Sequence, residues 1–582
     1  MGTTTTRTEN FLNSIGINTH MAYTDGAYAN VGNVQADLAY LGITTIRDSV
    51  PIPNGGTPSA NQVTALETLA KAGIHFDLLT YPNSMTIKQA GKQIIALDNA
   101  TPGAVIAVEG PNEINNFPIK YEGLTGQAAA VAFQTDLYSA VKANAATANI
   151  AVYGFTGGAV TTQDAAGTMT RNANGSYTLV NGQMGYQATL PTGVSTITIS
   201  YTGQSSGNPG SGLFTSAGGG QKTGITYGSN GTINYTYNNT SGAAQTLFID
   251  LANWNETTTI TNVVATGPGS TTNLVNFDPN LSLSGQADFA NIHPYASNGG
   301  AVLPLIASNY QTAYGSATPG PRVITETGYA TDPNGGVSQT VQAQQIVNGL
   351  LDAYQSGVST TYLYELLDEK ADPNNTNPEM HFGLFNNNNT PKLAAIAVHD
   401  LTAALADPGA NASSFTAGTL NYSATGASAG DQSMLFEKST GEFDIALWND
   451  GFAGTTKTDN VTLNLGANFA SVVVEDVVTG AQTTYTNVSQ LNIALGGDPM
   501  LVQIAPGSLN APAQMKFAAA APAAAASATW VTATPATTSA AASIPTITPT
   551  TSAATGLIAS VTTQPSHGAA LVTAATQHTA LT

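Results

Sequence analysis

The 582-residue chain contains no cysteine, which excludes disulfides, thiolate metal sites and cysteine nucleophiles. Charge is nearly as scarce. Asp, Glu, Lys and Arg together make up 9% of the residues, against about 25% in average soluble chains, so Thr, Asn, Ser, Gln and Gly must wet most of the surface. Basic residues are the scarcer sign: 15 Lys and Arg face 35 Asp and Glu, for a net charge of -20. That balance repels a phosphate backbone and excludes nucleic acid as a partner. No apolar run reaches the length of a bilayer-spanning helix, so no membrane span is expected. The opening stretch Met1-Gly2-Thr3-Thr4-Thr5-Thr6-Arg7 lacks the apolar centre of a secretory leader. A secreted or extracellular location suits the cysteine-free composition, with export by a trimmed leader or another route.

What is present is a rhythm. Short β-branched runs alternate with helical stretches from residue 11 onward, with strands expected at Ser14–His20, Ile43–Arg47, Ile74–Thr80, Ala104–Val108 and Asn149–Gly154. Helices through Val34–Leu41, Val63–Ala72, Ile87–Leu97 and Gln127–Ala143 separate them. Strands that are apolar on both faces belong in a parallel sheet covered on both sides. From 163 to 267 the period changes to two, as in Ile197/Ile199/Tyr201 and Ile233/Tyr235/Tyr237, which reads as an inserted all-β domain. The βα rhythm resumes at Phe289–His293, Arg322–Glu326 and Thr360–Tyr364, with helices at Thr340–Tyr354 and Leu393–Leu405. Eight strands in this order predict an α/β fold, a (β/α)8 TIM barrel over 11–162 and 268–408 interrupted after strand five. Residues 409–506 read as a C-terminal β-sandwich. Residues 507–582 form an Ala/Thr/Pro-rich tail with too few large side chains for a core.

Barrel chemistry sits at the C-terminal ends of the strands. After strand four comes Glu109-Gly110-Pro111-Asn112-Glu113, and strand seven ends in Thr325-Glu326-Thr327-Gly328-Tyr329. Each places a glutamate at the mouth, and two carboxyls facing each other across a sugar are what glycosidic cleavage requires. Removing the insert from the 113-to-326 interval leaves roughly 108 residues, about what three βα units need. With Ile292-His293-Pro294-Tyr295 at strand six, these motifs resemble the clan A retaining glycoside hydrolases, family 39 and related (β/α)8 enzymes above all. The resemblance covers residues 11 to 405 without the insert.

It implies a retaining glycoside hydrolase that cleaves β-glycosidic bonds of an extracellular oligo- or polysaccharide, without a cofactor. Glu113 would be the acid/base and Glu326 the nucleophile. By the same resemblance Asn112 binds the sugar 2-hydroxyl, Arg47 supports the nucleophile, and His293 and Tyr295 line the pocket. The clan commonly has a Trp at strand eight, and here Tyr362-Leu363-Tyr364-Glu365-Leu366-Leu367-Asp368-Glu369 has none. Tyr364 is the candidate stacking surface, and Glu365 and Asp368, with Glu109 and Glu369, are candidates for the subsites or their network. No second His or carboxylate stands at ligand spacing from His20 or His75, so no catalytic metal is expected. The insert carries Tyr177, Tyr186, Tyr201, Tyr227, Tyr235, Tyr237 and Trp254, which read either as sandwich core or as sugar-stacking rings. The alternative to an enzyme is a non-catalytic carbohydrate-binding or adhesion protein on a barrel scaffold.

Overall fold

The computed structural model describes residues 5–51, 53–54, 57–114, 117, 119–157, 168–171, 176–180, 183–203, 212–217, 223–226, 231–243, 245–253, 257–268, 270–273, 283, 285–314 and 320–506. The expected tail, 507–582, lies outside the described residues, as do Tyr227 and Trp254. Eight parallel strands form the central sheet: β1 (Ile15–Asn18), β2 (Thr45–Ser49), β3 (His75–Leu79), β4 (Val105–Glu109), β5 (Ala151–Tyr153), β6 (Ala290–Ile292), β7 (Arg322–Thr327) and β8 (Val358–Leu363). Their hydrogen-bonded order runs from β5 back through β4, β3, β2 and β1 to β8, β7 and β6. A parallel bridge between Tyr153 and Phe289 joins the two ends, with Gly154 N donating to Phe289 O at 3.0 Å. The sheet is a closed barrel.

Side chains fill its interior. Ala107, Tyr153, Val323 and Tyr362 form one buried cluster. Gly16 has to be glycine, because a Cβ there would lie 2.5 Å from the Tyr362 ring. The outer ring consists of α1 (Val31–Leu41), α2 (Ala60–Lys71), α3 (Ile87–Ala100), α4 (Gly126–Ala143), α5 (Leu303–Tyr314), α6 (Gln339–Gln355) and α7 (Leu393–Ala404). Their starts follow ordinary capping chemistry. Thr86 and Gln89 form a reciprocal capping box on α3, and Ser338 accepts from Val341 N at the start of α6.

The insert contains two antiparallel sheets. One has six strands, including Gly193–Gly203, Thr232–Asn239 and Thr257–Gly267, and the other has four, including Gln183–Leu190 and Gln245–Ala252. Leu179, Ile197, Ile199, Tyr201, Leu247, Leu251 and Ile260 share one core between them, with Tyr235 and Tyr237 packed against it. These three tyrosines are therefore packing residues. The strand Ser270–Asn273 pairs with Thr257–Gly267 and carries the sheet past the expected boundary at 267.

The C-terminal region contains seven strands linked by hydrogen bonds. Its longest strand, Asp459–Asp476, breaks register between Asn464 and Phe469, and the two parts of that strand meet different neighbours around a common apolar core. Thr6–Arg7 joins the sheet as a parallel strand beside Phe436–Glu437. Phe436, Trp448, Val477 and Leu501 belong to the same buried cluster as the barrel helices.

Candidate active site

Parallel strands deliver their C-terminal residues to one rim, and the sequence puts most of its buried charge there. Arg47 at β2 is 3% exposed and organises one half of the mouth. Its guanidinium grips Glu109 at the end of β4 through two bonds, Nε to Oε2 at 2.6 Å and Nη2 to Oε1 at 2.9 Å. The remaining donors reach Glu326 Oε1 at 2.5 Å, Asn112 Oδ1 at 2.6 Å and Asn18 Oδ1 at 3.0 Å. A planar fork with five N–H donors suits this division of labour, which a lysine could not reproduce. Glu326 is fully buried, and its other oxygen accepts from the Tyr295 hydroxyl at 3.0 Å.

Glu113 is also fully buried and holds φ at +37°, left-handed backbone that is uncommon for a non-glycine residue. The loop after β5 secures that turn: Glu113 N donates to Thr156 Oγ1 at 3.0 Å, Ile114 N to Thr156 O at 3.0 Å, and Thr156 N to Pro111 O at 3.1 Å. The carboxyl then faces His293 Nδ1, 3.0 Å from Oε1. His293 Nδ1 also lies 3.5 Å from Glu326 Oε2. One oxygen of Glu113, one of Glu326 and a ring nitrogen of His293 all lie within 4.8 Å of one another.

The proton positions follow from the partners. His293 Nε2 is 2.9 Å from Thr325 Oγ1, which itself neighbours Asn291 Oδ1 at 2.9 Å and Glu109 Oε1 at 3.2 Å. Both of those oxygens only accept, so the single hydroxyl proton of Thr325 goes to one of them, and His293 Nε2 must donate to Thr325. That fixes the tautomer, and a neutral imidazole then presents a bare Nδ1 to Glu113. One proton is shared across the 3.0 Å gap.

The other half of the mouth lies where β8 meets β1. His20 Nε2 is 3.2 Å from Glu365 Oε2, which also accepts from the Tyr28 hydroxyl at 2.8 Å. Burial pushes the Glu369 carboxyl up to about 8, with the neighbouring Glu365 charge adding to the effect, and holds the Glu365 and Glu379 carboxyls well above the usual range. Tyr364 is 1% exposed and packs edge-on against His20, Tyr295 and Phe382, so its faces are covered. Asp368 accepts from Lys392 Nζ at 2.7 Å and from Gly383 N at 2.9 Å. It anchors the loop after β8 and is not among the groups that meet Glu113 and Glu326.

The structure thus brings Glu113, Glu326, Arg47, Asn112, His293 and Tyr295 into one network and places Tyr364 and Glu365 on the adjoining wall. Asn18 and Thr325 belong to the network too. Both follow inward-facing strand positions at the barrel's C-terminal rim, the only signal in the sequence that could have singled them out.

No protein-family model matches the chain, and no curated protein matches it. Among solved structures it is similar to a family 39 glycoside hydrolase from the gut symbiont Bacteroides cellulosilyticus WH2, at 13% identity and a TM-score of 0.47, covering 85% of this chain and 82% of that one. It is also similar to a family 39 β-xylosidase from Caulobacter crescentus, at 12% identity and a TM-score of 0.45 over 87% of this chain and 98% of that one. A family 39 enzyme from Xanthomonas axonopodis pv. citri matches at 10% identity and a TM-score of 0.45, over 87% and 96%.

Proposed function

We propose that this chain is a retaining glycoside hydrolase acting on β-linked sugars of an extracellular oligo- or polysaccharide, with Glu326 as nucleophile and Glu113 as acid/base. The observation that carries the reading is the approach of the two buried carboxyls, with oxygens within 4.8 Å of each other. Double displacement works with carboxyl groups about 5–5.5 Å apart, whereas inversion needs about 6.5–9.5 Å to seat a water between them.

In the first step a Glu326 oxygen bonds to the anomeric carbon while the glycosidic C–O bond breaks. The proton shared between Glu113 and His293 goes to the leaving oxygen from Glu113. In the second step Glu113, now a carboxylate, takes a proton from water as that water's oxygen attacks the anomeric carbon and frees Glu326. Arg47 and Tyr295 donate to Glu326 from either side, so its charge is held in place and aimed. Asn112, fixed through its oxygen by Arg47, turns its amide toward the sugar 2-hydroxyl.

The test is hydrolysis of aryl β-glycosides and β-linked polysaccharides by wild type, Glu113→Gln and Glu326→Gln, with product anomers followed by NMR. The expected result is β-product first from the wild type and a loss of at least a hundredfold in kcat for each variant. Inverted product overturns the mechanism. Sugar affinity that survives in all three proteins without turnover in the wild type overturns the enzyme.

A further inference from the structure

We infer that His20, Glu365 and Glu369 form a binding site for one divalent cation of the zinc and manganese class, on the wall of the mouth where β1 and β8 meet. One ligand atom from each lies within 4.8 Å of the others, and all three side chains are buried. A second observation points to a ligand. Glu365 Oε1 and Glu369 Oε1 are buried, and neither has a hydrogen-bond partner, although an unmet buried acceptor costs about 1–3 kcal/mol and more when charged.

Protein cations do not fill the need. Among the described residues no Lys or Arg lies within ion-pair distance of Glu365, Glu369 or Glu379. Lys392 is committed to Asp368 at 2.7 Å and Lys370 to Asp25 at 2.6 Å. The spacing suits an ion. Ligands about 2.0–2.2 Å from a tetrahedral metal lie roughly 3.3–3.6 Å from one another, and His20 Nε2 lies 3.2 Å from Glu365 Oε2, the oxygen that also accepts from Tyr28, which leaves Oε1 of the same carboxyl open to the ion. One imidazole with two carboxylates is a donor set shared by Zn²⁺ and Mn²⁺.

The trio Glu113, His293 and Glu326 is equally compact but lacks the vacancy. Arg47 and Tyr295 already meet both oxygens of Glu326, and an ion there would have to displace a guanidinium. The two trios therefore make opposite predictions. Sequence spacing concealed the first, because the barrel brings His20 to Glu365 and Glu369 only when β1 pairs with β8.

Chelator-dialysed protein is titrated with Zn²⁺ and with Mn²⁺ by calorimetry, and the bound ion is counted per chain by elemental analysis after gel filtration. The expected result is one ion per chain for either metal, affinity at least tenfold weaker in Glu369→Gln, and affinity unchanged in Glu326→Gln. Circular dichroism checks that Glu369→Gln folds. If it does not, His20→Asn takes its place and must weaken binding by the same margin. Wild-type protein that retains neither ion overturns the proposal, as does binding that falls in Glu326→Gln and persists when His20 or Glu369 is changed. None of these readouts depends on turnover, so a failed glycosidase assay leaves the outcome intact.

Discussion

Around Arg47, Glu109 and Glu326 each meet a guanidinium at 2.5–2.6 Å. Across the same mouth Glu365, Glu369 and Glu379 crowd together, and among the described residues no Lys or Arg lies at contact distance from them. The chain is only 9% charged, so neither arrangement is a by-product of a charge-rich surface. One half grips its carboxyls with a built-in guanidinium and holds them in one orientation, which suits a nucleophile. The other keeps its carboxyls in reserve for a proton or an added cation. Burial costs both halves alike, and what separates them is whether the compensating positive charge is built into the chain.

The comparison breaks most visibly at its centre. Arg47→Met leaves two buried carboxylates without their cation and is expected to cost about 3–5 kcal/mol, read by urea unfolding, together with nearly all activity. Lys392→Met removes a buried cation from the loop after β8 but leaves only one carboxylate, Asp368, without its cation, so its loss in urea unfolding is expected to be smaller than that of Arg47→Met. Equal losses would remove the contrast.

Asp37 supplies a reference away from the mouth. Burial pushes its carboxyl up to about 6, and Asn389 is its hydrogen-bond partner. Because the folded group holds its proton more tightly than the unfolded one, stability falls as pH rises from about 4 to about 6 and is level above that. Asp37→Asn should flatten that slope, by up to about 3 kcal/mol, in thermal melts across the same range. The smallest effect expected is that of Thr325→Val. Stability drops by about 1 kcal/mol, while kcat falls on the order of tenfold, part of the roughly 10²–10⁴ that acid–base catalysis supplies. KM should hold, since the change leaves the sugar contacts in place and Nε2 loses only the partner that fixed the His293 tautomer.

The barrel was legible because its strands are short, apolar on both faces and separated by helices of ordinary period. All eight expected strands occur, each within a few residues of its expected bounds. The helix Leu303–Tyr314 is less conspicuous, although Val302, Ile306, Tyr310 and Tyr314 repeat at helical spacing and are all buried. The pairing of Thr6–Arg7 with Phe436–Glu437 left no local trace, because short strands acquire their identity from a partner far along the chain. At the site, the two glutamates could be read from their places after strands. The Arg47–Glu109 fork, the Thr325 contact with His293 and the gathering of Glu369 toward His20 could not, since each depends on the circumference and register of the closed barrel.

The pairing of β1 with β8 also has a history in time. Ile15–Asn18 is made before its second neighbour, Val358–Leu363, which follows some 340 residues later. At about 5–20 residues per second that interval is roughly 20–70 s. Through it the first strand offers an open edge of unpaired backbone N–H and C=O groups, and the insert lengthens the wait. The newborn chain is therefore most exposed to mispairing between copies on a crowded polysome, and an associated chaperone would do most for it before residue 363 has cleared the ribosome.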